Sequence, residues 1–322
     1  MRVLITGGMG VIGAEASRKF VREGHRPVIY ARHRDESLIR DIVDKVDIEL
    51  GSILDRARLA EVIKARGVTH VVHTAAYISA LSAAQPAESV EINVMGTVNV
   101  LEAARAANVA RVVYTSAKGV YGPFLGDYGA PTYKLVTEDH PKEPKRIYDS
   151  AKLMGEHATL YWATLGLDVV VLRFATTYGP GKTARHGNMG VTSQIVEQPA
   201  NGQPFRIAKG GDEKDDFIYN KDSALGIYLA VTAKNPASRI YNIGTGTGVT
   251  LKDVAAILRR HLPHAVIEIG PGLNFLGSPY PMHGVYDISR AQNELGYRPQ
   301  FDLERGITDY LDSLQRLKLQ AA

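Results

Sequence analysis

With 322 residues and a usual scale of about 150 residues per domain, the chain is long enough for two domains, or for one large doubly wound domain with an appendage. A composition of 45% hydrophobic and 22% charged residues without cysteine supplies a full core and excludes disulfides, thiol catalysis and cysteine-held metals. The 38 basic and 34 acidic side chains are interleaved, so the net charge of +4 makes no nucleic-acid stripe; the longest apolar runs are strand length, far short of the roughly 20 residues that span a bilayer.

The chain starts Met1-Arg2-Val3-Leu4-Ile5-Thr6 and enters a β-branched run directly, without a charged and apolar leader, so a soluble cytoplasmic protein with no membrane partner is expected. Residues 2–6, 28–31, 47–50, 70–73, 111–115 and 168–173 read as strands, with helix-period segments between them. Buried apolar runs joined by helical crossovers imply a parallel sheet covered on both faces. The fold class is therefore α/β, a Rossmann-type doubly wound parallel sheet with a smaller C-terminal substrate-binding lobe. After about Thr177 the chain turns rich in glycine, proline and asparagine. Residues 1–177 are expected to bind a dinucleotide and residues 178–322 to form mainly the substrate lobe. Within a segment near 216–245, residues 216–219 and 239–243 are strand material expected to return to the first domain.

Directly after the first strand comes Thr6-Gly7-Gly8-Met9-Gly10-Val11-Ile12-Gly13, opening a helix that Gly24 stops. Glycine at the turn permits positive φ, a missing side chain lets backbone amides approach a pyrophosphate, and the last glycine lets helix and strand approach closely. The run Gly244-Thr245-Gly246-Thr247-Gly248 is equally glycine-rich, yet reads as a turn leading to a helix capped by Thr250. Only the first run stands at a strand–helix junction heading an alternating series. The second strand ends Tyr30-Ala31-Arg32-His33-Arg34. Ala31 offers no carboxylate to a ribose hydroxyl, whereas Arg32 and Arg34 suit a 2′-phosphate, so NADP is expected in preference to NAD. The alternative is that both arginines are solvated loop residues.

Tyr-x-x-x-Lys occurs at Tyr114/Lys118, Tyr148/Lys152 and Tyr178/Lys182. Tyr114 ends a strand, and Gly179-Pro180-Gly181 stops any helix after Tyr178. Only Tyr148 and Lys152 lie in a helix-forming stretch, where a spacing of four puts them on one face. A phenol so placed can exchange a proton with a substrate oxygen, and the ammonium favours phenolate.

With these residues the chain resembles the extended short-chain dehydrogenase/reductase superfamily, and within it the NAD-dependent epimerase/dehydratase family, over nearly its whole length. The resemblance is carried by the glycine loop, His73-Thr74-Ala75-Ala76, Asn93-Val94-Met95-Gly96-Thr97, Thr115-Ser116-Ala117-Lys118-Gly119-Val120-Tyr121-Gly122, Tyr148 with Lys152, Leu172-Arg173-Phe174, Tyr178-Gly179-Pro180-Gly181 and Tyr241-Asn242-Ile243-Gly244. It implies a cleft between two lobes, hydride transfer with Tyr148 as acid/base, and a cofactor held by Gly7, Gly10, Val11, Ile12 and Gly13. It implies further that Ser52 and Ile53 flank the adenine, that Thr74, Ala75 and Ala76 line the pyrophosphate, and that Thr115, Phe174 and Thr176 lie near the nicotinamide. Members often dimerise through two long helices, here about 87–107 and 148–165. His73 is expected to be a strand-end residue rather than a ligand, and no histidine pair has metal spacing.

Several positions depart from the family pattern. Its third catalytic group, a Ser or Thr three residues before the Val of Val-Tyr-Gly, falls on Ala117. Ser116 supplies a hydroxyl one position early and is the catalytic candidate, with Thr115 as another donor, although a one-residue step is expected to turn Ser116 away from the cleft. Asp215 stands where nucleotide-sugar enzymes commonly place a diphosphate-neutralising Arg, Thr176 where they often use Asn, and residues 273–280 carry no basic side chain. These departures favour an NAD(P)-dependent oxidoreductase acting on a small polar sugar-like or hydroxy-carbonyl substrate. Lys182, Arg185 and Asn188 are further candidates for binding a substrate anion. The alternatives are a nucleotide-sugar epimerase or dehydratase with internally recycled cofactor and, from another class, a non-catalytic dinucleotide-sensing protein.

Overall fold

The buried apolar runs of the first half assemble into one sheet in the computed structural model, which describes residues 1–183 and 190–319. Strands β1 (Val3–Thr6), β2 (Val28–Ala31), β3 (Asp47–Leu50), β4 (His70–His73), β5 (Arg111–Ala117) and β6 (Val169–Phe174) stand in the order β3-β2-β1-β4-β5-β6. All neighbours are parallel. β5 runs two residues beyond its expected end, to Ala117, because Ser116 and Ala117 stay in register with Arg173 and Phe174 of β6. The order reverses between β1 and β4, and in such sheets a ligand cleft opens at the carboxyl ends of the strands flanking that switch point.

Past Ala175 the chain leaves this sheet as β7 (Thr176–Tyr178) and continues through β8 (Phe205–Ile207) to β9 (Asp215–Tyr219), β10 (Ile240–Ile243), β11 (Gly248–Val249) and β12 (Ile267–Ile269). Of the two segments expected to return, only one does so as a strand. β10 pairs with β6 as the seventh strand, its Tyr241 and Ile243 fully buried. β9 instead pairs with β7 and β11 in a separate three-stranded sheet. Its first two residues, Asp215 and Asp216, are buried carboxylates that take hydrogen bonds from residues 245–246 and 283–286, which helps hold the strand in the second lobe. The intervening helix Asn220–Thr232 does come back to the first lobe, where it lies against helix Val11–Arg22, with the rings of Phe20 and Tyr228 5.4 Å apart.

The expected helix at 148–165 forms as Ile147–Thr164. The one at 87–107 forms in three parts, Pro86–Val90, a π turn over Glu91–Met95, and Gly96–Ala106. That π turn contains Asn93, whose amide pins the loop after β4 by accepting from Tyr77 N at 2.7 Å and donating to Tyr77 O at 2.9 Å. The second lobe has its own apolar core, including Tyr178, Ile195, Phe217, Leu251 and Tyr310. Among the described residues no helix is long and apolar enough to cross a membrane.

Candidate active site

The glycine loop forms the cradle its spacing predicts. Gly7 has φ +68°, and a Cβ there would lie 2.8 Å from the Ala75 backbone. A Cβ on Gly13 would come within 2.2 Å of Gly7 O, so helix Val11–Arg22 can approach β1 only because that side chain is missing. The helix begins at Gly10 with no side-chain cap and no acid in its first turn, so its first amides and the positive end of its dipole are left for an anion. This site fits a dinucleotide pyrophosphate.

A cleft of about 630 Å³ runs from this loop to the second lobe, with Val11, Ile12, Ser52, Ile53, Thr74, Ala75, Ala76, Thr115, Phe174 and Thr176 among its walls. Ser52 Oγ accepts from Leu54 N at 3.1 Å, and Ile53 is buried where Gly96 leaves it room. The guanidinium pair expected for a 2′-phosphate is split. Arg32 lines the cleft, but Arg34 points to Glu36, 2.5 Å away, and Asp35 lines the cleft next to Arg32.

His73 is a strand-end residue with both ring nitrogens engaged. Thr97 donates to Asn93 O at 2.7 Å, so its oxygen must accept from His73 Nε2 at 3.0 Å, and Nδ1 accepts from Thr6 Oγ1 at 2.7 Å. Burial, assisted by the charge of Lys152, pushes its pKa down to about 3. Because the folded value lies below the ordinary 6.5, protonation favours the unfolded chain. Stability should therefore fall as the pH drops below 6.5, with His73 alone accounting for about 2 kcal/mol by pH 5. Urea unfolding of wild type and His73→Asn at pH 7 and pH 5 checks this, the variant being expected to lose that part of the pH dependence.

Tyr148 and Lys152, on the first turns of helix Ile147–Thr164, both face the cleft. Burial holds the Tyr148 phenol above its ordinary pKa and lowers the Lys152 ammonium to about 7. Lys152 Nζ sits 4.4 Å over the Tyr114 ring, and the Tyr114 hydroxyl donates to Lys152 O at 3.2 Å. Gly155 permits this approach, since a Cβ there would meet that hydroxyl at 2.2 Å. Arg146 clasps Asp149 at 2.6 Å, and Asp149 fits against Gly119, where a Cβ would fall 1.9 Å from its Oδ1. The turn carrying Tyr148 is thereby fixed to the loop after β5. Thr115 Oγ1 donates to His73 O at 2.9 Å. Ser116 borders the cleft, but its Oγ is fully buried and has no hydrogen-bond partner among the described residues.

The substrate end holds a group that sequence reasoning missed. Lys118, set aside above as part of an unproductive Tyr/Lys pair, is ion-paired to Asp215 and donates to Thr176 Oγ1 at 2.7 Å. Asp215 also accepts from Thr176 at 2.6 Å and has His283 Nδ1 at 3.0 Å. Burial would raise its pKa, yet the charges of Lys118 and His283 outweigh that and hold it well below the carboxylate range. The bare carboxylate expected to repel a diphosphate is thus fully buried and neutralised from within. A buried carboxylate needs a partner, but neither the burial of Asp215 nor the approach of Lys118 from 97 residues away is legible in the sequence. Lys182 also lines the cleft; burial and then the charge of Lys118 push its pKa down to about 8. Arg185 and Asn188 lie outside the described residues. The second glycine run folds around Asp216, which accepts from Thr245 N at 2.8 Å and Gly246 N at 3.1 Å, and leads to a helix capped by Thr250. Among the described residues no three metal-ligating side chains cluster.

The sequence profile of the NAD-dependent epimerase/dehydratase family matches residues 3–244. The chain belongs to this family. Like other members of the NAD-dependent epimerase/dehydratase family, it is an enzyme of the extended short-chain dehydrogenase/reductase type. It is 30% identical to a putative UDP-glucose 4-epimerase of Methanocaldococcus jannaschii, covering 95% of each chain. It is also 30% identical to UDP-glucuronate 4-epimerase 1 of Arabidopsis thaliana, covering 96% of this chain and 75% of that one. The crystal structure of Thermus thermophilus UDP-glucose 4-epimerase in complex with NAD superposes with a TM-score of 0.81 at 27% identity, covering 98% and 99% of the two chains. These relatives favour the nucleotide-sugar alternative over the small-substrate expectation. The NAD of that complex lends no support to the expected preference for NADP.

Proposed function

We propose that this enzyme is a nucleotide-sugar 4-epimerase working with bound NAD. The observation that carries this reading is the internal neutralisation of buried Asp215 by Lys118, which removes the electrostatic objection to a diphosphate at the substrate end. The names of its epimerase relatives supply the substrate class. When bound, NAD would supply a hydride acceptor for the sugar carbon and, once reduced, the donor that returns the hydride. Gly7, Gly10, Gly13 and the first amides of helix Val11–Arg22 would hold the pyrophosphate. Tyr148, as phenolate, takes the proton from the sugar hydroxyl and as phenol gives it back, and Lys152 stabilises the phenolate before the first transfer and after the second. The first lobe, 1–177, carries the cofactor, and 178–322 mainly shapes the sugar site.

Incubation with UDP-glucose and with UDP-glucuronate, without added cofactor, should give the 4-epimers by NMR with no accumulation of reduced dinucleotide. Stoichiometric cofactor consumption on small hydroxy-carbonyl compounds alone would instead establish a dehydrogenase. Dinucleotide binding without turnover of any substrate would establish a sensor.

With Arg34 held by Glu36, a 2′-phosphate would meet the Arg32 guanidinium, while the Asp35 carboxylate also lines the cleft. Calorimetric titration should therefore show NAD binding at least as tightly as NADP; the reverse order would restore the two-arginine reading. The two long helices expose Val90, Met95, Met154 and Tyr161. A homodimer joined through these helices is expected, and sedimentation measures it.

A further inference from the structure

Three departures from the family pattern, at Ala117, Thr176 and Asp215, meet at Lys118. Asp215 is fully buried and its carboxylate is saturated. Oδ1 accepts from Lys118, from Asp216 N at 3.0 Å and from Gly284 N at 3.3 Å. Oδ2 accepts from Thr176 Oγ1 at 2.6 Å and has His283 Nδ1 at 3.0 Å. Two carboxylate oxygens offer about four lone-pair sites, so nothing is left for a ligand. Thr176 gives its one hydroxyl proton to Asp215 and accepts from Lys118 at 2.7 Å. An ammonium carries three donors. Two of those on Lys118 are engaged within the cluster, and the third belongs to a side chain that lines the cleft.

The backbone sets where that donor works. Gly119 and Asp149 are in contact, since a Cβ on Gly119 would lie 1.9 Å from Asp149 Oδ1. Lys118 and Tyr148 each stand one residue before that contact, and both line the cleft. Ala117, between Ser116 and Lys118, presents only a methyl group there, and Ser116 Oγ is buried. We propose that Lys118 is the residue that holds the substrate oxygen at the reacting carbon, donating its third N–H to it opposite Tyr148, while Asp215 and Thr176 anchor its ammonium. Asp215 is then a positioning residue that acts through Lys118.

This inference rests on the nucleotide-sugar reading, and its test separates the two. Lys118→Met alone would leave a buried carboxylate unpaired, so it is combined with Asp215→Asn, which removes the charge, keeps one oxygen to accept from the Asp216 and Gly284 amides, and turns an NH2 toward the Thr176 hydroxyl and the His283 ring, both of which can accept. Epimerisation of UDP-glucose and UDP-glucuronate by this double variant should fall about 100-fold or more in kcat/KM, with the NAD affinity and Tm close to wild type. Adding Ala117→Ser, which returns a hydroxyl to the strand end, should recover about tenfold or more of the loss. A double variant within about threefold of wild type overturns the assignment. So does a loss accompanied by a lowered Tm and no recovery with Ala117→Ser, which would mark Lys118 as structural. If wild type turns over neither nucleotide sugar, the parent reading fails and this one falls with it.

Discussion

Tyr148→Phe should lower turnover by about 100- to 10,000-fold, the range for a positioned proton donor, while leaving NAD affinity nearly unchanged. The phenylalanine ring keeps the packing of the half-buried side chain and removes only the hydroxyl. Burial raises the pKa of that phenol, so it needs Lys152 close by to shed its own proton before it can accept one from the sugar hydroxyl. Because the interaction strengthens in the transition state, the loss should fall on kcat rather than on cofactor binding. Turnover of UDP-glucose and calorimetric titration of NAD check the two halves separately. Near wild-type turnover would remove Tyr148 from the mechanism. Ser116→Ala offers a contrast: with no partner for its Oγ, its removal should cost well under about 100-fold.

Glu156→Gln should produce the largest loss of stability, about 3–5 kcal/mol by urea unfolding, because it leaves a buried guanidinium without its counter-charge. Arg173 and Glu156 are each 1% exposed, and Arg173 Nη2 lies 2.6 Å from Glu156 Oε2. The remaining donors of Arg173 reach the Tyr121 hydroxyl at 3.0 Å and Glu138 O at 2.9 Å, which satisfies hydrogen bonds but not charge. A second effect separates this substitution from simple unfolding. Glu156 stands four residues after Lys152 and raises its pKa against burial. Without that charge the pKa of Lys152, already lowered to about 7, should fall further. The ammonium is then lost at lower pH, and the alkaline limb of the pH–rate profile should move down. An unchanged limb in a folded variant would show that Lys152 is insulated from Glu156.

The sequence alone determined the elements whose chemistry is local. The strands could be read because each is a short apolar run, and the cradle because Gly7, Gly10 and Gly13 are spaced within one strand–helix turn, although the approach of Gly7 to the Ala75 backbone was not legible. Tyr148 and Lys152 could be paired because helical spacing puts them on one face. His73 was legible as a strand-end residue, although its contacts with Thr6 and Thr97 were not. Only the tertiary structure decided matters of charge and strand pairing across long separations. Asp215 looked like a carboxylate open to substrate until Lys118, 97 residues away, proved to neutralise it. β9 looked ready to rejoin the main sheet until backbone donors from residues 245–246 and 284–286 fixed its two aspartates in the second lobe. The physical reason is that a buried carboxylate takes its energy from the cations and backbone donors that folding brings to it from far along the chain, and those approaches are not written in the spacing of residues.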